Sequence, residues 1–314
     1  MIAFIFPGQG SQQVGMGKAL AEAFPEARAA FDEADAAFAA GGSGSTRLSS
    51  LCFEGPDDQL MLTEHTQPAI LTMSVAAARV LARLGIEPDL VAGHSLGEYS
   101  ANVVAGVLDF ADAVETVRRR GRYMQEAVPL GKGAMAAILG LDAEGVRRAC
   151  DEAADGEVVS PANINSPDQV VIAGAAGAVR RASDRAKALG AKRAVPLSVS
   201  APFHCALMKP AEERLAPELR ALAVRDPRVP IVANVDGQPK QSGQAAIDAL
   251  VRQVSAPVLW DAIVRRLASA GVTTYVEVGP GRVLGGLVKK VHKEARVLSF
   301  AEPADLEAIL QGDK

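Results

Sequence analysis

Leu90-Val-Ala-Gly-His-Ser95-Leu-Gly-Glu-Tyr-Ser100 is the stretch that decides the fold. Leu90 to Ala92 is a short apolar run, Gly93-His-Ser95-Leu-Gly97 is a G-x-S-x-G, and Glu98 to Gly106 reads as helix. Strand, tight turn and helix in that order predict a nucleophile elbow, in which the serine Oγ is pushed out over the sheet edge. Small residues on both flanks let the backbone bend that tightly. The competing reading is a chance glycine-rich turn, and the flanking elements argue against it.

Upstream, Ile2 to Phe6 is an apolar run ended by Pro7-Gly8, the pattern of a buried strand feeding a loop. Residues 15 to 39 are alanine-rich and helix-like, with a break at Pro25, and Pro68 to Leu84 predicts a long buried helix. Gly41 to Thr46 reads as a solvated Gly/Ser loop without a function. Downstream, Ala134 to Leu139, Asp142 to Ala154, Val158 to Asn163, Val170 to Ala173, Ala176 to Leu189 and Arg193 to Val199 alternate as β-α-β-β-α-β, the ferredoxin-like order. Strand signals at Ile231 to Val235 and Val272 to Val278 complete the larger sheet. The expected fold is therefore α/β: a large domain of residues 1–130 and 201–314 with a parallel sheet and the elbow, interrupted by a ferredoxin-like small subdomain at 131–200.

The chain has 314 residues, enough for one large or two unequal domains at roughly 150 residues each. Lys and Arg number 33 against 37 Asp and Glu, and aromatics are 4% of the chain, so it lacks both the basic excess and the stacking platforms that nucleic-acid binding uses. The three cysteines, Cys52, Cys150 and Cys205, are far apart and form no C-x-x-C pair, which indicates neither a disulfide framework nor a zinc site. The apolar start is too short for a signal-peptide core, and no apolar run approaches the roughly 18 residues of a membrane span. A cytoplasmic protein without metal, membrane or nucleic-acid partner is expected.

A serine is a weak nucleophile until a base takes its proton, and histidine titrates in the right range. Four are present. His94 adjoins the serine and is expected to turn away from it; His65 precedes a helix start; His292 lies in the basic run Lys289-Lys-Val-His-Lys293, expected to be wet. His204, at the Pro-marked turn Ser200-Ala-Pro-Phe-His-Cys205, is the remaining candidate, and position alone leaves a structural role open. The loop Phe6-Pro-Gly-Gln9-Gly-Ser-Gln12 lacks the spacing of a phosphate loop. It suits instead an oxyanion hole, with backbone N–H groups acting beside that of Leu96. On the helix Phe110 to Gln125, Arg118 and Arg120 flank the apolar face carrying Met124, while Arg119 and Arg122 point elsewhere. Periodicity does not say which flanking arginine turns inward.

Phe6-Pro-Gly-Gln-Gly-Ser-Gln12, Gly93-His-Ser-Leu-Gly-Glu-Tyr-Ser100, Arg120-Gly-Arg-Tyr-Met-Gln-Glu-Ala-Val-Pro129, Asn163-Ile-Asn-Ser-Pro167, Phe203-His-Cys-Ala-Leu-Met208 and Glu277-Val-Gly-Pro-Gly281 together resemble the malonyl-CoA:acyl carrier protein transacylases of bacterial type II fatty acid synthesis. The resemblance spans nearly the whole chain. It implies an α/β-hydrolase-like large domain, Ser95 as acyl-accepting nucleophile, His204 as general base, and Gln253 as the residue whose backbone carbonyl orients that base. It further implies Gln9 and Leu96 as oxyanion donors, Arg120 as the grip on the malonyl carboxylate, and Asn163 and Asn165 as a polar pair near the cleft. Met124 and Phe203 would line the substrate pocket, where related enzymes often carry a smaller residue than Phe203. Lys289 and Lys290 would lie near the docking face for acyl carrier protein. Malonyl-CoA and holo carrier protein are the partners implied, with no cofactor and a monomeric enzyme. A polyketide-synthase acyltransferase, a serine esterase and an idle carrier-docking module are the alternatives.

Overall fold

The computed structural model describes residues 1–42 and 46–311, so residues 43–45 of the expected Gly41 to Thr46 loop lie outside the described residues. Its strands are β1 (Ile2–Phe6), β2 (Leu90–Gly93), β3 (Gly133–Leu139), β4 (Val159–Ser166), β5 (Gln169–Ala175), β6 (Arg193–Pro196), β7 (Ile231–Val232), β8 (Pro239–Lys240), β9 (Thr274–Val278) and β10 (Arg296–Phe300). One sheet has the order β10-β9-β1-β2-β7-β8 and is parallel except where β8 pairs with β7. Its central strands are almost wholly apolar because helices cover both faces. Alternate residues of β1 enter different cores: Phe4 and Phe6 pack with Ile70 and Met73, whereas Ala3 and Ile5 pack with Trp260 and Ile263.

The second sheet, β4-β5-β3-β6, is antiparallel throughout. The helices Ala143–Ala153 and Ala176–Ala188 supply Val146, Ala149, Val179 and Ala182 to its own core. A two-bond rung ties β4 to the segment that precedes the helix Trp260–Ser269. Ile164 N–H donates to the Val258 carbonyl at 2.8 Å, and Val258 N–H donates to the Ala162 carbonyl at 2.9 Å.

Several boundaries differ from expectation. The long helix runs Thr63–Arg83 with Pro68 inside it, because Thr66 Oγ1 donates to the Leu60 carbonyl at 2.6 Å and secures an extra turn before the proline. β7 pairs over two residues only, since Asn234 is diverted to the serine turn. β6 stops at Pro196, although Leu197 N–H still donates to the Met135 carbonyl at 3.0 Å. No helix among the described residues is long and apolar enough to cross a membrane.

Candidate active site

The turn between β2 and the helix Gly97–Val104 holds Ser95 at φ 52°, a left-handed conformation unusual outside glycine. Gly93 and Gly97 make the bend possible. A Cβ on Gly93 would lie 1.9 Å from Gly97 C, and one on Gly97 would lie 2.0 Å from the Phe6 carbonyl oxygen. The turn is pinned from the far side by Asn234, whose Oδ1 accepts from Ser95 N–H at 2.8 Å and whose Nδ2 donates to the Gly93 carbonyl at 2.6 Å.

His204 reaches the same point from the segment that follows β6. It too has a positive φ, 60°, and is buried. Its Nε2 lies 2.6 Å from Ser95 Oγ. Its Nδ1 faces two carbonyl oxygens, of Gln253 at 2.9 Å and Ala256 at 3.2 Å. Carbonyls only accept, so the proton sits on Nδ1 and the Nε2 lone pair faces the serine hydroxyl. Burial first, and then the Arg120 charge, push the imidazole down to about 3, keeping it the neutral base such a contact requires.

Arg120 is the inward arginine. It is 2% exposed, and its Nη1 donates to Gln67 Oε1 at 2.7 Å, while Nη2 donates to Gln253 Oε1 at 2.9 Å and Ser95 Oγ at 3.2 Å. Arg118 is committed elsewhere, stacked on Phe38 with its Cζ 4.7 Å from the ring centroid. A cavity of about 130 Å³ lies above this group, and Gln9, Leu96, Met124, Asn163 and Phe203 all line it. Among the described residues, no hydrogen bond uses the N–H of Gln9 or of Leu96, so both donors are unengaged beside the serine.

His94 turns to Asn165, with Nε2 2.9 Å from Oδ1, and makes no hydrogen bond to Ser95 Oγ. His292 is not simply wet: its Nδ1 lies 3.2 Å from the Tyr275 hydroxyl. Lys289 and Lys290 lie on the helix Val283–Val291, outside this cleft. Lys290 pairs with Asp168 of the second sheet at 2.9 Å, and Lys289 Nζ donates to the Lys293 carbonyl at 3.2 Å. No group of three or more His, Cys, Asp or Glu side chains suited to a metal occurs among the described residues.

Sequence reasoning missed Glu98, Gln67 and Asn234. Glu98 is 1% exposed and accepts from Gln253 Nε2 at 2.7 Å and from Asn234 N–H at 3.2 Å. Burial pushes its carboxyl up to about 7, against those two donors.

The arrangement defines a serine acyl-transfer site: a hydroxyl, a neutral imidazole aimed at it, two unengaged amides, and a buried cation. The family model "Acyl transferase domain" matches residues 3–308. Over 310 residues the chain is 52% identical to a malonyl CoA-acyl carrier protein transacylase of Escherichia coli K12, covering 98% of each chain. Against the protein of that name from Bacillus subtilis it is 49% identical over 311 residues, 99% of this chain and 96% of that one. A malonyl-transacylase solved in complex with its type II PKS acyl-carrier protein superimposes with a TM-score of 0.95 at 49% identity, covering 99% of both chains. The chain belongs to the malonyl CoA-acyl carrier protein transacylase family of acyl transferases.

Proposed function

We propose that the chain carries malonyl from malonyl-CoA to the phosphopantetheine thiol of acyl carrier protein through a malonyl-Ser95 ester. Ser95 Oγ gives its proton to His204 Nε2 and attacks the thioester carbonyl; the oxyanion is received by the N–H groups of Gln9 and Leu96. The C–S bond breaks and His204 returns the proton to the CoA sulfur. The carrier thiol then gives its proton to His204 and attacks the ester carbonyl; the ester C–O bond breaks and His204 returns that proton to Ser95 Oγ. Within this reading the chain is a cytoplasmic monomer. Residues 1–130 and 201–314 form a hydrolase-like catalytic domain with Ser95 on its elbow, and 131–200 form the ferredoxin-like subdomain. The strand order β4-β5-β3-β6 supports the last assignment.

The observation that carries the reading is the buried Arg120 fork 3.2 Å from Ser95 Oγ, because an esterase of uncharged acyl groups has no use for a cation there. Intact mass spectrometry tests it: a malonyl adduct forms with malonyl-CoA and disappears only when holo carrier protein is added. An adduct that water removes at the same rate points to an esterase. A second reading, supply of a polyketide carrier, is favoured by the solved relative bound to a type II PKS carrier protein. Competition between the two carriers decides it.

Arg120→Ala is expected to lower kcat/KM for malonyl-CoA while acetyl-CoA transfer holds or improves. A charge-assisted hydrogen bond is worth about 1.5–3 kcal/mol, so the malonyl-to-acetyl ratio falls at least ~10-fold to 100-fold. Lysine rescues only partly, because a point charge does not reproduce two parallel donors. An unchanged ratio places the carboxylate elsewhere.

Carrier docking is proposed at Lys289 and Lys290. Changing both to glutamate is expected to raise the apparent KM for carrier protein and flatten its salt dependence, with acylation by malonyl-CoA unaltered. Lys289→Glu is the cleaner single change, since Lys290 also pairs with Asp168. Unchanged carrier kinetics at low salt remove the patch.

A further inference from the structure

Gln253 serves the site twice. Its backbone carbonyl holds His204, and its fully buried side chain lies between Arg120, Ser95 and Glu98. A primary amide has two N–H donors and one carbonyl oxygen. Both donors are used: Nε2 lies 2.8 Å from the Ser95 carbonyl and 2.7 Å from Glu98 Oε2. Oε1 is thereby left to Arg120 Nη2, at 2.9 Å. Turned round, Oε1 would face two oxygens, and the NH₂ would face a guanidinium that only donates.

Among the described residues, Arg120 forms no ion pair with a carboxylate. Its hydrogen bonds go to the Gln67 and Gln253 amide oxygens and the Ser95 hydroxyl, and its Nε is buried without a partner. Glu98 stands directly behind Gln253 and is held there by Asn234 N–H at 3.2 Å. A carboxylate touching the guanidinium would occupy the fork and neutralise it. A neutral amide holds the fork in place and leaves its charge for another partner.

We propose that Glu98 is a positioning residue for acyl-group selection: it fixes the Gln253 amide, which aims Arg120 at the acyl pocket, while its own acidic group stays one side chain away from the fork. The inference rests on malonyl transfer through Ser95 and Arg120, and it adds the device that keeps Arg120 aimed yet open.

Glu98→Gln tests it. An amide at position 98 still turns its oxygen to Asn234 N–H and Gln253 Nε2, but a neutral acceptor replaces the charged one and the hold on the Gln253 amide loosens. The malonyl-to-acetyl ratio of kcat/KM is expected to fall about tenfold, as for one lost hydrogen bond to a charged group. In an Arg120→Ala background the same change is expected to leave that ratio where it stands, because the two residues act through one contact. A role confined to folding lowers transfer of both thioesters in proportion, and an unchanged ratio overturns the proposal. Glu98→Asp, which withdraws the carboxylate by one methylene, is expected to give an intermediate ratio. If Glu98→Gln does not fold, an unchanged ratio in Glu98→Asp is equally decisive against the proposal. The malonyl adduct on Ser95 of the unaltered enzyme is measured alongside. Its absence overturns the transfer reading itself, whereas an adduct with an unchanged ratio removes Glu98 alone.

Discussion

Ser95→Ala is expected to abolish acyl-enzyme formation and to lower transfer by on the order of 10⁶, the cost of losing the nucleophile from a coupled Ser-His unit. The Oγ is the one atom that meets both His204 Nε2, at 2.6 Å, and Arg120 Nη2, at 3.2 Å. Removing it deletes the acyl acceptor and leaves the base without a proton to take. The fold is expected to persist, because the turn is fixed by Gly93, Gly97 and Asn234 through backbone contacts that alanine retains. Peptide mapping after exposure to malonyl-CoA checks the assignment, with a thermal melt to confirm folding. A malonyl group on any peptide lacking Ser95 would refute it.

His204→Ala is expected to be of similar severity, since nucleophile and base fail together when either is lost. The unaltered enzyme supplies the sharper signature. An ordinary imidazole loses its base form as pH falls through about 6.5. Here the protonated form is disfavoured by burial and by Arg120, and the pKa is pushed down to about 3. The neutral base therefore survives well below pH 6.5, and the acid limb of acylation is displaced downward. The initial burst of CoA release, followed across that range, measures it. A limb centred at 6.5 or higher would contradict the buried environment, and near-normal turnover in His204→Ala would move the base elsewhere.

Much of this architecture is legible in local patterns. Ile2 to Phe6 and Leu90 to Gly93 announce themselves as strands because each is a short apolar run ended by a glycine turn, and burial on both faces requires that composition. Helix periodicity brought the choice down to Arg118 or Arg120. Only three-dimensional packing separates them: Arg118 finds Phe38, and Arg120 finds Gln67 and Gln253. Pattern reading failed where a polar side chain bonds to residues distant in sequence. Glu98, Gln67 and Asn234 carry no periodic signal of their own. Their partners Gln253, Arg120 and Ser95 stand 155, 53 and 139 positions away, and no window along the chain contains both ends. The orientation of His204 leaves no residue-type signature either, because backbone carbonyls supply it, and only the family resemblance pointed to Gln253.

The rung between Ala162, Ile164 and Val258 bears on how such a site exchanges one bulky thioester for another. Each backbone hydrogen bond contributes net about 0.5–1.5 kcal/mol, so parting β4 from the segment before the helix Trp260–Ser269 costs roughly 1–3 kcal/mol before any other contact is counted. A penalty of that order holds widely parted conformers to a minor share of the ensemble. In the proposed mechanism, a cleft held at this width is expected to empty of CoA before the carrier arm enters it.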